Sequence, residues 1–131
     1  AYRRAGLDAR VEPFLYAMDR EVKAADLVIC RAGATTLAEL AAAGRPSLLV
    51  PLPTATDDHQ RKNADVLARA GAAVVIDERE LSGERLAETL LALARDGERR
   101  AAMAERARSL ARPDAAERIA DRVQALGMGQ A

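Results

Sequence analysis

Two short stretches carry residue types able to hold an anion and to read hydroxyl groups. The first runs Arg31-Ala32-Gly33-Ala34-Thr35-Thr36-Leu37-Ala38-Glu39. Gly33 permits a positive φ and Ala34 adds little bulk, so a ligand can approach the backbone closely. A helix starting here would offer N–H groups and the positive end of its dipole to an anion, and a diphosphate would be well served. The same residues admit a purely structural reading. Thr36-x-x-Glu39 has the spacing of a capping box, which would spend those groups on the helix itself. The two readings compete, because a capped end has fewer N–H groups to offer. If a diphosphate binds, repulsion must turn the Glu39 carboxylate outward, where it can accept hydrogen bonds from neutral hydroxyls such as those of a ribose. Spacing alone leaves both open.

The second stretch runs from Pro51 to Asn63. Pro51 and Pro53 hold an extended segment, and Asp57 or Asp58 can cap the helix that follows. On that helix His59, Gln60 and Asn63 are three and four residues apart and share a face. Together they supply donors and acceptors suited to sugar hydroxyls, although a solvated helix start fits the same residues. One histidine and one cysteine make no metal-ligand set. There is no nucleophile elbow, Walker loop or Gly-x-Gly-x-x-Gly. No catalytic residue, metal or cofactor is therefore assigned, and Cys30 reads as the buried end of a strand.

The elements around these stretches alternate. Candidate strands are Ala9 to Leu15 (weakened by Pro13), Asp26 to Cys30, Ser47 to Val50 after Gly44-Arg45-Pro46, and Ala73 to Ile76 after Gly71. The second is a continuous apolar run of the kind buried on both faces. Helical patterns cover Met18 to Ala25, Thr36 to Ala43 and Asp58 to Ala70. The last third is helical: Ser82 reads as an N-cap with Leu81 stapled onto Leu86, another helix follows Asp96-Gly97, and a last one follows Arg112-Pro113, where Asp114 and Glu117 have capping-box spacing. This order predicts an α/β fold, a parallel sheet flanked by helices, in one domain without repeats or linkers. In such sheets ligands sit beyond the carboxyl ends of the strands. Phe14 to Tyr16, Arg31 to Glu39 and Pro51 to Asn63 should meet there.

Composition narrows the function classes. The chain has 131 residues, half of them apolar, with Tyr2, Phe14 and Tyr16 as its aromatics. Twenty Lys and Arg balance twenty Asp and Glu, so the basic excess of a nucleic-acid binder is absent. The cluster Arg99, Arg100, Arg106, Arg108 and Arg112 reads as a solvated helical face. A single cysteine forms no intrachain disulfide. No apolar run approaches the roughly 20 residues that span a bilayer. The opening Ala1-Tyr2-Arg3-Arg4-Ala5-Gly6 looks like a helix end stopped by glycine, the expectation for a domain cut from a longer chain.

Taken together the motifs resemble the MurG family. The resemblance rests on Ala25-Asp26-Leu27-Val28-Ile29-Cys30-Arg31-Ala32-Gly33-Ala34-Thr35-Thr36-Leu37-Ala38-Glu39-Leu40-Ala41-Ala42-Ala43-Gly44-Arg45-Pro46. It is joined by Val50-Pro51-Leu52-Pro53 and then Asp57-Asp58-His59-Gln60-x-x-Asn63-Ala64. The similarity is clearest from Val11 to Ile76. It implies a GT-B glycosyltransferase with two Rossmann-like domains, of which this chain resembles the C-terminal, donor-binding one. The family transfers N-acetylglucosamine (GlcNAc) from UDP-GlcNAc to lipid I. The product is lipid II, the peptidoglycan precursor on which cell shape and division depend. The implied enzyme is an inverting hexosyltransferase, cytoplasmic and peripheral on the inner face of the cell membrane.

The resemblance also implies roles. Leu15 stands where backbone groups hold the uracil. Ala34, Thr35 and Thr36 stand at the helix start that meets the diphosphate, a binding stretch that continues through Leu37 and Ala38 to Glu39, where a glutamate holds the ribose hydroxyls. Gln60, with His59 and Asn63 beside it, stands where GlcNAc is read; some members carry Gln in place of His59. The family's glycine-rich loops, candidate base, acceptor contacts and membrane-facing patch belong to the N-terminal domain. That domain and the first βα segment of the donor domain are missing from this stretch, so transfer by these residues alone is not expected. Two alternatives stand beside this reading: the soluble subunit of a two-subunit lipid-linked GlcNAc transferase, and a non-catalytic α/β interaction module.

Overall fold

The computed structural model describes residues 4–13, 17–53 and 59–111. Three short strands, β1 (Val28–Cys30), β2 (Ser47–Leu49) and β3 (Ala73–Val75), form a parallel sheet in the order β1-β2-β3. The helices are α1 (Met18–Ala24), α2 (Ala34–Ala43), α3 (His59–Arg69), α4 (Gly83–Arg95) and α5 (Gly97–Leu110), with a 3₁₀ turn at Glu78–Glu80. Helices α2 and α3 lead from one strand to the next, so the α/β alternation expected from the sequence is present.

Register places Ile29 opposite Leu48 and Leu48 opposite Val74. Side chains alternate between the faces of a strand, so the apolar run of β2 supplies both cores. Leu49 packs with Leu37, Leu40, Ala64 and Leu67 of α2 and α3, while Leu48 and Val50 pack with Ile76, Leu93 and Met103. Helix α5 joins the layers, contributing Ala107 to the first cluster and Met103 to the second.

Several expectations need correction. Burial on both faces belongs to β2, whereas β1 is only partly covered and Ile29 is 46% exposed. The second cluster centres on β2 and β3, leaving Ile29 at the margin. The expected strand at Ala9 to Leu15 is not formed over its described part, since residues 9–13 are exposed and unpaired with the sheet; Phe14 and Leu15 lie outside the described residues. Pro13 lacks a ladder donor, which fits. Helix α2 begins at Ala34, two residues before the expected Thr36.

Other local signals hold. The Ser82 hydroxyl accepts from Arg85 N at 3.0 Å and caps α4; the Asp96 carboxylate accepts from Arg99 N at 2.9 Å and caps α5. Gly44 closes α2 in the left-handed region at φ 65, where its N–H and that of Arg45 satisfy the carbonyls of Ala41 and Leu40. Gly71 similarly ends α3 at φ 81. The final helix expected after Pro113 lies outside the described residues.

Candidate functional site

The site is built where β1 and β2 end. Val50 N donates to Cys30 O at 3.0 Å, continuing the pairing one step beyond the strands, and the two exits then diverge into loops. One loop, Arg31 to Gly33, leads into α2. The other starts at Pro51 and leads toward α3.

The start of α2 answers one of the two readings of Thr36 and Glu39, that of the capping box. Gly33 is the N-cap, in extended conformation at φ −68 and ψ 142, and no side chain caps the helix. The first intrahelical bond runs from Leu37 N to Gly33 O at 3.0 Å. Thr36 is thus the third helical residue and not the cap, and the capping box is not formed. The N–H groups of Ala34, Thr35 and Thr36 precede that first bond and have no intrahelical acceptor. Gly33 does not use a positive φ, contrary to expectation. A Cβ there would meet no atom of the described residues within 4 Å.

The expected site residues divide by environment. The Leu37 side chain is 5% exposed and belongs to the core, whereas Ala34, Thr35, Ala38 and Glu39 are exposed. Thr36 and Glu39 line a groove of about 440 Å³ with Met18 and Val22 of α1 and Ile29 and Cys30 of β1. Among the described residues Glu39 forms no ion pair. Burial pushes the Cys30 thiol up from its ordinary pKa, which keeps it protonated at neutral pH. Leu15 lies outside the described residues.

From the other loop, α3 begins at the exposed His59. Gln60 Oε1 accepts from Leu52 N at 2.8 Å and from Ala32 N at 3.2 Å. Asn63 Nδ2 donates to Ala32 O at 3.3 Å. The two stretches that carry the candidate chemistry are therefore tied together, with Gln60 and Asn63 reaching the residue that precedes the N-cap of α2.

Two arginines that sequence reasoning did not single out brace this end. Arg31 donates to Val50 O at 3.4 Å and to Glu78 Oε1 at 2.6 Å. Arg61 pairs with Asp65 at 3.2 Å and with Asp77. Beside them Pro51, Leu52, Pro53, Asp77, Glu78 and Arg79 line a second cavity of about 260 Å³. The i,i+4 spacing of Arg61 and Asp65 was a readable signal. The contact of Arg31 with Glu78, 47 residues away, had none.

This parallel α/β sheet, with an uncapped helix start beyond its first strand, is that of a known family of domains. Residues 2–119 match the glycosyltransferase family 28 C-terminal domain, and the chain belongs to that family. Among curated relatives, the UDP-N-acetylglucosamine--N-acetylmuramyl-(pentapeptide) pyrophosphoryl-undecaprenol N-acetylglucosamine transferase of Marinobacter nauticus is 54% identical over 119 residues, 91% of this chain and 33% of that protein. The protein of the same name from Nitrosococcus oceani is 51% identical over 129 residues, 98% of this chain and 36% of its own length. The crystal structure of Acinetobacter baumannii MurG superposes with a TM-score of 0.80 at 40% identity, covering 92% of this chain and 34% of that one. The chain thus spans about a third of the length of the relatives it matches.

Proposed function

We propose that this chain is the donor-binding part of the glycosyltransferase that moves GlcNAc from UDP-GlcNAc to lipid I, forming lipid II. The observation that carries this reading is the start of α2. Three N–H groups, from Ala34 to Thr36, stand without a side-chain cap beyond the end of β1, in a domain of this family. They would hold the donor diphosphate, and the helix dipole would offset the charge that develops on UDP as it leaves. Leu37 would offer the ligand no group of its own, since its side chain is core and its N–H already donates to Gly33 O. Glu39 would accept hydrogen bonds from the ribose hydroxyls across the groove. Gln60, His59 and Asn63 would face GlcNAc, and Leu15 the uracil.

The chemistry would be direct displacement with inversion at the anomeric carbon. Residues 1–131 would form one donor domain of a longer protein, whose further domain would bring the base, the lipid acceptor and contact with the inner face of the cell membrane. Among the described residues no helix is long and apolar enough to cross a membrane. The test is calorimetric titration of the full-length protein with UDP-GlcNAc. Glu39→Ala is expected to weaken binding about tenfold or more, the scale of a lost hydrogen bond to a charged group. Unchanged affinity would defeat the ribose assignment.

A further inference from the structure

We propose that Gln60 is a positioning residue whose carbonyl pins the two ligand loops together and thereby sets where the α2 amides stand. This rests on the donor-binding reading above. Ala32 is fully buried and lies two residues beyond the end of β1, so its N–H and C=O have no strand to pair with. A buried backbone group left unpaired is costly, and α3 supplies both partners from its first two turns. Gln60 Oε1 takes the N–H of Ala32 and Asn63 Nδ2 takes its carbonyl.

The same Gln60 oxygen also takes Leu52 N, from the loop after β2. An amide carbonyl has two lone pairs, and both are now used. The two backbone donors also fix which end of the amide is oxygen. Gln60 can therefore offer a ligand only its Nε2 donor. Its oxygen is a structural joint between two loops whose other links, among the described residues, are at the strand ends: Val50 N to Cys30 O and Arg31 to Val50 O. Ala32 is followed directly by Gly33, the N-cap of α2, so freeing Ala32 moves the amides of Ala34, Thr35 and Thr36 with it. Loss of the joint should weaken the hold on the diphosphate itself and not only on the sugar.

The experiment compares wild type, Gln60→Met and Gln60→Glu in the full-length protein by amide hydrogen exchange and by titration with UDP and with UDP-GlcNAc. Methionine keeps the length and loses the acceptor; glutamate keeps the acceptor and loses the Nε2 donor. Gln60→Met is expected to speed exchange at Ala32 and Leu52 and to weaken UDP about tenfold, the scale of one hydrogen bond. Gln60→Glu should keep both amides protected. Gln60→Ser, too short to reach them, replaces Gln60→Met if that variant does not fold. Unchanged exchange in the variant lacking the acceptor overturns the proposal. So does weakened UDP-GlcNAc binding with UDP binding intact, which would make Gln60 a reader of the sugar alone. If the wild type binds no UDP, the donor reading fails and takes the ligand half of this proposal with it, while the exchange comparison still reports on the joint.

Discussion

Gly33 stands where the exit of β1 becomes α2, with an extended backbone that any residue can adopt and no atom of the described residues within 4 Å of where a Cβ would project. On the donor-binding reading its value is the approach it leaves open, not conformational freedom. Gly33→Ala separates those two roles. Thermal stability should change by less than about 0.5 kcal/mol, the usual size of a surface substitution, while UDP affinity falls because a methyl group now stands at the diphosphate approach. Loss of stability without loss of affinity would show a backbone role instead. Glu39 belongs to the same logic. It lines the groove shared with α1 and β1, where the donor-binding reading would have it meet hydroxyls and not the phosphates.

Among the elements, helix ends decide how the parts are held. Asp96 stands between α4 and α5: its carboxylate caps α5, and Arg100 Nη1 donates to the last carbonyls of α4, those of Leu93 and Ala94, at 2.6 Å each. Asp96→Ala should cost about 1 kcal/mol in chemical denaturation, the ordinary loss of an N-cap, with donor affinity unchanged because this corner lies away from the strand ends that carry the site. A cost near zero would mean that Arg100 alone holds the corner. Such caps are local, since a cap and its helix are adjacent in the chain: Ser82 was read as one, whereas at Asp96 only the helix that follows was expected. The start of α2 was misplaced for the same local reason: Thr36 and Glu39 have cap spacing, yet the N-cap is Gly33, three residues earlier, and Leu37 and Leu40 pack with Leu49.

At the scale of the molecule, the fold class followed from strands and helices alternating along the chain, and the meeting of the two loops beyond the strand ends from the topology of parallel sheets. Details that depend on distant partners did not follow. Ile29 has the composition of a buried strand residue, but exposure depends on which neighbours cover it, and the cover lies over β2 and β3. Gln60 and Asn63 were legible as polar groups on one helix face, while their grip on Ala32, 28 and 31 residues away, was not. The whole arrangement leaves the end of α2 without a side-chain cap and braced from α3, as the proposed diphosphate site requires.

The central claim is that the α2 amides hold a diphosphate, and Ala34→Pro tests it most directly. Proline at the first helical position removes one N–H that makes no intrahelical bond, and its fixed φ suits a helix start. The extended Gly33 before it already has the conformation that proline requires of its predecessor. Titration of the full-length wild-type and variant proteins with UDP and with uridine reads the effect on the phosphates alone. The variant should keep its melting temperature and its uridine affinity while binding UDP about tenfold more weakly, as for one charge-assisted hydrogen bond. Equal UDP affinity in a folded Ala34→Pro protein would contradict the account.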